Sequence, residues 1–306
     1  MILIKYKRIV KETPINIFNF GVRFSVSKIK CILNDDSLVT VQRKNEAILR
    51  YLEKKFEKLI QKYHKFKKTP STDSNLPIWV MWWDGEMPDV IKLCHKSQLF
   101  AAGDHPIKLI TKYNVQEFVE FPDIVWKQFD EGKLRIQHLA DMIRVQLIRR
   151  YGGLWLDASI FCNGIISENV FKLPIFSIKG NCLPFFVSEN KWTTFVIGGQ
   201  ANNILCSFLD DFFIEYAKTS KPFIDYYMFD CAIALAYRNI QTIREDLDNL
   251  PLFEQDIYWL NENLYSDHNT TDIKQIPLFS KLAWRKFTEN IPPEHSLYNI
   301  LLQKYS

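Results

Sequence analysis

The chain has no apolar run approaching the roughly 20 residues that a membrane-spanning helix requires. Its N-terminus also lacks the apolar stretch and small-residue cleavage site of a secretory leader. A cytoplasmic protein is the expectation. There is no CxxC pair and no tightly spaced cysteine framework: Cys31, Cys94, Cys162, Cys182, Cys206 and Cys231 are scattered along the chain. This argues against a structural zinc site or a disulfide scaffold and fits reduced, buried thiols. Composition of the disordered type is missing as well. With 306 residues, 47% of them hydrophobic and 14% aromatic, the chain can bury the core of one large domain, or of one domain with an appendage.

What is present begins with an uneven charge distribution. Residues 1 to 68 carry 17 Lys and Arg against 6 Asp and Glu, whereas the rest carries 22 against 29, which leaves a net charge of +4. Much of the basic charge lies on NEAILRYLEKKFEKLIQKYHKFKK, where Ile48, Leu52, Phe56, Leu59 and Tyr63 recur at helical spacing and lysines fill the opposite faces. Two readings follow. Either this helix packs on the body with a solvated lysine face, or residues 42–68 are drawn to an anionic membrane surface, at about 1 kcal/mol per basic residue near the headgroups. Nucleic acid is not an expected partner, since no recognition motif accompanies the charge and the acidic body opposes a polyanion. The segment KKTPSTDSN, residues 67–75, is a turn-rich linker. The predicted organisation is therefore a basic, largely helical extension over residues 1–75 and a body over residues 76–306.

The body opens with LPIWVMWW, residues 76–83, an apolar and aromatic run that reads as a buried strand ending at Asp84 and Gly85. A helix over residues 89–100 and a strand over residues 107–111 follow, and this β-α-β order argues for a mostly parallel α/β sheet flanked by helices. In such sheets ligands gather at the carboxyl ends of the strands, where Trp82, Trp83 and Asp84 fall. Strand alternation sends the two indoles to opposite faces, so one of them belongs to the core. A short helix over residues 124–129 leads to the most informative stretch, QHLADMIRVQLIRRYGGLWLDASIFC, residues 137–162.

This stretch reads as a helix, a glycine stop and a strand ending in acid. Leu139, Ile143 and Leu147 keep helical spacing, two arginines occupy the last turn and Gly152 supplies the terminus. Residues 154–161 then alternate as a strand with Trp155, Asp157 and Ser159 on one face, while Asp141 and Arg144 project together from the helix. An ordinary αβ unit, with Asp157 a solvated carboxylate and Asp141 and Arg144 a surface pair, would show much of the same pattern. His138, one turn before Asp141, is either a structural histidine or a member of a site. Further on, Gly198 and Gly199 permit close approach of a ligand or of a neighbouring element, a helix is expected over residues 203–219, and Asp230 lies inside the apolar helical run FIDYYMFDCAIALAYRN. A carboxylate there must be paired, hydrogen-bonded or functional.

The run ADMIRVQLIRRYGGLWLDAS resembles the signature SDxxRxxxLxxxGGxYxDxD of family 32 glycosyltransferases, and most closely the capsular polysaccharide synthesis branch, in which a small hydroxyl residue often replaces the second acid. The resemblance covers roughly residues 76–300. It implies a GT-A type nucleotide-sugar-binding domain that transfers a sugar from a nucleotide diphosphate donor, a UDP-sugar foremost, to a hydroxyl of a surface glycan or lipid-linked oligosaccharide, with retention at the anomeric carbon. It assigns Asp141 and Arg144 to the donor sugar and Asp157 to a Mn²⁺ or Mg²⁺ ion, with Ser159 in place of the second carboxylate. A divalent cation suits this chemistry because it stabilises the charge on the diphosphate leaving group.

PIWVMWWDGEMP resembles the first strand of the same family, which places an aromatic against the nucleotide base; Trp82 takes that role, with Trp83 as the competitor. Trp192 and Gly199 match a stretch where donor and acceptor meet, and Asp230 matches a DYFxxD segment. IPLFSKLAWRK resembles a C-terminal loop that closes over the diphosphate with Lys281 and Trp284, with His295 an alternative ligand for metal or phosphate. A phosphatase of the haloacid dehalogenase type also follows an apolar strand with Asp, but LDAS lacks its second Asp. A non-catalytic scaffold of the same fold, docked on a membrane by its basic helix, is the alternative to an enzyme. Ser159 favours it, and the retained Asp141, Arg144 and Asp157 oppose it.

Overall fold

The computed structural model describes residues 2–34, 37–66, 75–180, 187–266, 270–288 and 290–305. Most of the expected linker, and Cys182, lie outside them. The chain begins with four helices, α1 (Ile2–Phe20), α2 (Val22–Leu33), α3 (Leu38–Lys55) and α4 (Glu57–His64). It continues as β1 (Ile78–Met81), α5 (Asp89–Ala101), β2 (Ile107–Ile110), α6 (Val115–Phe118), α7 (Asp123–Asp130), α8 (Ile136–Tyr151), β3 (Gly153–Asp157) and β4 (Ile160–Cys162). Then come α9 (Glu168–Lys172), β5 (Ile175–Ser177), β6 (Val196–Gly199), α10 (Ile204–Lys218), α11 (Met228–Asn239) and α12 (Gln241–Asp248). The last elements are α13 (Trp259–Asn263), β7 (Phe279–Lys281), a 3₁₀ turn (Trp284–Phe287) and α14 (Leu297–Lys304).

The central sheet has the order β2-β1-β3-β6-β5. β1 pairs in parallel with both β2 and β3, and β6 runs antiparallel to β3 and to β5. Four of the five strands therefore point the same way and only β6 is reversed, which is the mostly parallel sheet flanked by helices that the β-α-β reading anticipates. Register aligns Met81 with Asp157, so the carboxyl ends of β1 and β3 finish side by side. Reversal of β6 brings the residues just before it to that same edge, where the Asp157 amide donates to the Phe195 carbonyl at 2.9 Å.

The glycine stop between α8 and β3 has a steric cause. Gly153 has φ +101°, and a β-carbon there would lie 2.0 Å from the Pro77 carbonyl oxygen, the same oxygen that accepts the Leu154 amide at 2.9 Å. Gly198 and Gly199 are of the same kind: added β-carbons would lie 2.5 Å from Gly153 O and 2.3 Å from Pro174 O. Their smallness serves strand packing. A single strand over residues 154–161 is not what forms. Ala158 and Ser159 make a turn, after which β4 leaves the central sheet and pairs with β7. The Gln98 amide clasps that turn, donating to Asp157 O at 3.1 Å and to Ile160 O at 2.8 Å.

The basic amphipathic helix is two helices. It breaks at Phe56, whose ring packs on Phe212 of α10 at 4.5 Å between centroids. Ile48, Leu52, Phe56, Leu59 and Tyr63 are all buried in one cluster with α8, α10 and α11. The apolar stripe therefore faces the protein, as in the first of the two readings, and Lys54, Lys58 and Lys65 stay exposed. Uncovered apolar side chains of the N-terminal helices lie off that stripe: Val10, Phe18 and Val22 of α1 and α2 are 73%, 88% and 63% exposed, and Val39 in the first turn of α3 is 55% exposed. No helix among the described residues is long and apolar enough to cross a membrane. The five described cysteines are buried, as their scattered spacing suggests.

Candidate functional site

A cavity of about 560 Å³ opens at the carboxyl edge of β1 and β3. α8 and β3 supply its floor. Helical spacing puts Asp141 and Arg144 one turn apart on α8 facing β3, and Arg144 Nη2 meets Asp141 Oδ1 at 3.0 Å and Asp157 Oδ1 at 3.7 Å. The guanidinium lies between the Trp155 and Phe229 rings, 5.0 and 5.1 Å from their centroids, and donates to the Thr194 carbonyl. Only 8% of its side chain is exposed. A charge so buried is tolerable because two carboxylates, a carbonyl and two ring faces replace its water.

Asp157 is held from both sides. Trp155 Nε1 donates to its Oδ1 at 2.9 Å and Lys281 Nζ to its Oδ2 at 2.7 Å. Lys281 arrives through the small antiparallel pair, where it stands opposite Ile160, and its ammonium also reaches Ser159 Oγ at 2.9 Å. Burial alone would raise the Asp157 carboxyl. The charges of Lys281 and Arg144, with hydrogen bonds from Lys281 and Trp155, outweigh it and hold the group below its ordinary value.

Asp230 behaves in the opposite way. It sits in the first turn of α11, 9% exposed, and accepts a hydrogen bond from buried Trp192 Nε1 at 3.0 Å. Burial, aided by the Asp141 charge, pushes its carboxyl up to about 7 against that hydrogen bond and the Arg144 charge. Of these two cavity carboxylates, Asp157 is held as an anion and Asp230 is neutral or charged according to pH.

The structure brings Trp82, Asp141, Arg144, Trp155, Asp157, Ser159, Trp192, Asp230, Lys281 and Trp284 to this one cavity. Trp82 and Trp284 meet edge to face at 5.7 Å at its mouth. Trp83 points the other way and packs on Phe129 at 5.5 Å. Asp84 is exposed in the following loop, paired with Lys112 at 2.6 Å, and His295 is exposed in the turn before α14. Trp83, Asp84, His295 and Gly199 do not line the cavity. His138 is buried behind Asp141, stacked on Phe223 at 4.3 Å.

Sequence reasoning missed Thr194, Phe195, Tyr226, Tyr227, Phe229 and Tyr258, all of which line the cavity. Phe195 lies under the Lys281 ammonium at 5.1 Å. The Tyr226-Tyr227 pair was visible beside Asp230, but nothing local says that it faces a cavity.

Among the described residues no group of three or more His, Cys, Asp and Glu side chains could hold a metal by itself. The donor set present is a carboxylate and a hydroxyl. That both touch one ammonium, at 2.7 and 2.9 Å, means that a single cation can reach both oxygens at once. Hard divalent ions in nucleotide sites commonly use one or two such protein oxygens and complete their shell with phosphate and water, so the pair fits Mg²⁺ or Mn²⁺ once Lys281 turns aside.

Fold and cavity together define a mixed α/β protein with a carboxylate and cation cluster at the carboxyl ends of its parallel strands, the place where such sheets take ligands. The chain belongs to the capsular polysaccharide synthesis protein family, which it matches over residues 30–301. That span starts within α2 and takes in α3 and α4 as well as the sheet. Membership suggests a glycosyltransferase-like role. No curated protein and no solved structure matches the chain.

The Asp230 environment gives a pH dependence of known sign. A carboxyl whose folded value is raised favours folding while it is protonated and loses that advantage as pH climbs from its unfolded value through about 7. The denaturation midpoint of the native chain, relative to that of Asp230→Asn, should fall between about pH 4 and pH 7. A constant difference across that range would contradict the assignment.

Proposed function

We propose that the cavity binds a nucleotide diphosphate sugar, a UDP-sugar foremost, and that the protein transfers the sugar to a hydroxyl of a growing surface glycan. The observation that carries this reading is the convergence of Arg144, Asp157, Ser159 and Lys281, drawn from three separate parts of the chain, in an aromatic-walled cavity. Trp82 is the stacking surface for the base, a contact worth about 1 to 3 kcal/mol. Lys281 is a point charge for the diphosphate. Asp141 and Arg144 face the donor sugar, and Asp230 lies toward the acceptor side.

In the transfer, the bond from the anomeric carbon to the phosphate oxygen breaks and a bond to the acceptor oxygen forms. The acceptor proton passes to the leaving phosphate, and configuration is retained without a covalent bond to the protein. Formal charge in the cavity bears on the cofactor. Asp141 and Asp157 balance Arg144 and Lys281, so an incoming diphosphate adds negative charge that nothing in the cluster offsets. Asp157 and Ser159 would hold the divalent ion that supplies this charge and so stabilises the departing diphosphate.

Calorimetric titration with UDP, GDP and CDP, each with and without Mn²⁺, tests this. UDP should bind, Mn²⁺ should tighten it, and Asp157→Ala should abolish the Mn²⁺ effect. Lys281→Ala should weaken UDP by about tenfold yet strengthen Mn²⁺ binding in the absence of nucleotide, because the ammonium no longer competes for the two oxygens. Absence of binding for all three nucleotides would sink the donor reading and leave the scaffold alternative.

We also propose that the protein works on the anionic inner face of the plasma membrane. Its support is the exposed lysine face of α3 and α4 together with the uncovered Val10, Phe18 and Val22, a combination that suits attraction to headgroups with shallow apolar insertion. Cosedimentation should favour anionic over neutral vesicles, and Lys54, Lys58 and Lys65 changed together to Glu should reduce that preference. Equal sedimentation with both vesicle types would contradict it.

A further inference from the structure

A second cavity, of about 850 Å³, lies between the N-terminal helices and the body. α1, α2 and α3 form one wall; the loop before α8 and the segment before α11 form the other. Tyr226, Tyr227 and Asp230 line this groove and also line the donor cavity, so the two spaces share a partition. His138 belongs to the groove side of that partition, and its Nδ1 is 3.7 Å from Asp141 Oδ2 on the donor side. That nitrogen is buried and has no hydrogen-bond partner among the described residues.

The groove is basic. Arg8, Lys11, Lys28, Lys44, Lys133 and Arg135 line it, against Glu12, Asp225 and Asp230. Internal pairing uses part of this charge: Glu12 holds Arg8 at 3.2 Å and Lys28 at 3.0 Å, and Asp225 holds Lys44 at 2.9 Å. Lys133 pairs with Glu131. Lys11 and Arg135 have no ion-pair partner among the described residues and remain exposed. Aromatic surface is interleaved with the charge, Tyr226 and Tyr227 being 59% and 44% exposed at the junction. Such rings suit the apolar faces of sugars, and the cations suit carboxylate or phosphate substituents.

We infer that this groove binds the acceptor, a saccharide bearing carboxylate or phosphate groups, and presents its terminal hydroxyl to the donor cavity across the partition of Tyr226, Tyr227 and Asp230. The inference deepens the donor reading of the first cavity and rests on it for the direction of transfer, whereas binding in the groove can be measured separately. Two sources could supply the anion, acidic sugars of the chain or the diphosphate that joins a glycan to a lipid carrier. The probes are therefore a short oligogalacturonate, a neutral malto-oligosaccharide of matched length, and geranyl diphosphate, each titrated into the 306-residue chain.

Oligogalacturonate or geranyl diphosphate should bind, and whichever does identifies the source of the charge. Lys11→Glu with Arg135→Glu should weaken that binding by about tenfold with UDP affinity unchanged. Lys96→Glu with Lys108→Glu, the same charge change on exposed residues outside either cavity, should leave it as it was. If neither anion binds better than the neutral sugar, or if the two double variants lose equally, the groove assignment is wrong even where UDP binds. Anion binding that obeys these rules in a protein that ignores UDP would instead overturn the donor reading.

Discussion

The buried Arg144 guanidinium is the constraint around which the site is arranged. With its side chain 8% exposed it must find most of its solvation in the protein, and it draws this from α8, β3, the segment before β6 and α11 at once, with only Nε left without a hydrogen-bond partner among the described residues. Asp141 and Asp157 meet its charge, Thr194 accepts a hydrogen bond, and Trp155 and Phe229 cover its faces. Removing any one partner would leave a buried charge short of solvation, a situation that is strongly destabilising. The cation therefore fixes where the carboxylates stand, and Asp157 in turn fixes Lys281.

Positive charge at this point also explains why two acids only a short way apart differ. Asp157 is flanked by Lys281 and Arg144 and is held as an anion. Asp230, whose close partner is a neutral indole, is pushed up to about 7 by burial and by Asp141. A site that separates its carboxylates in this way can present one as a cation ligand and the other as a group that gains or loses a proton near neutrality.

The local part of this was legible in the sequence. Helical spacing from Leu139 to Leu147, the glycine stop and the alternation to Asp157 read correctly because each is set by near neighbours. The β-α-β order also reads through to the sheet, since hydrophobic runs of strand length between helices have few other arrangements. The meeting of Lys281 with Asp157 and Ser159 was not legible from spacing. It depends on an antiparallel pairing between segments some 120 residues apart, and only the family resemblance pointed to that lysine. The turn at Ala158-Ser159 was hidden for a similar reason, because the clasp that makes it comes from Gln98 on another helix. The periodicity of α3 and α4 revealed an apolar stripe but not its partner, which is the far-removed pair α10 and α11. The groove between the N-terminal helices and the body was invisible for the same cause.

The central claim is that the nucleotide occupies the cavity organised by Arg144, and the indole N–H signals of the eight tryptophans test its location directly. In ¹⁵N-edited NMR spectra, titration with UDP and Mg²⁺ should shift the resonances of Trp82, Trp155 and Trp284, which line the cavity. Trp79, whose Nε1 is tied to the Gly152 carbonyl at 2.9 Å in the core, and Trp83, which packs on Phe129, should stay in place. Shifts confined to Trp79 and Trp83, or no shift at saturating UDP, would contradict the account.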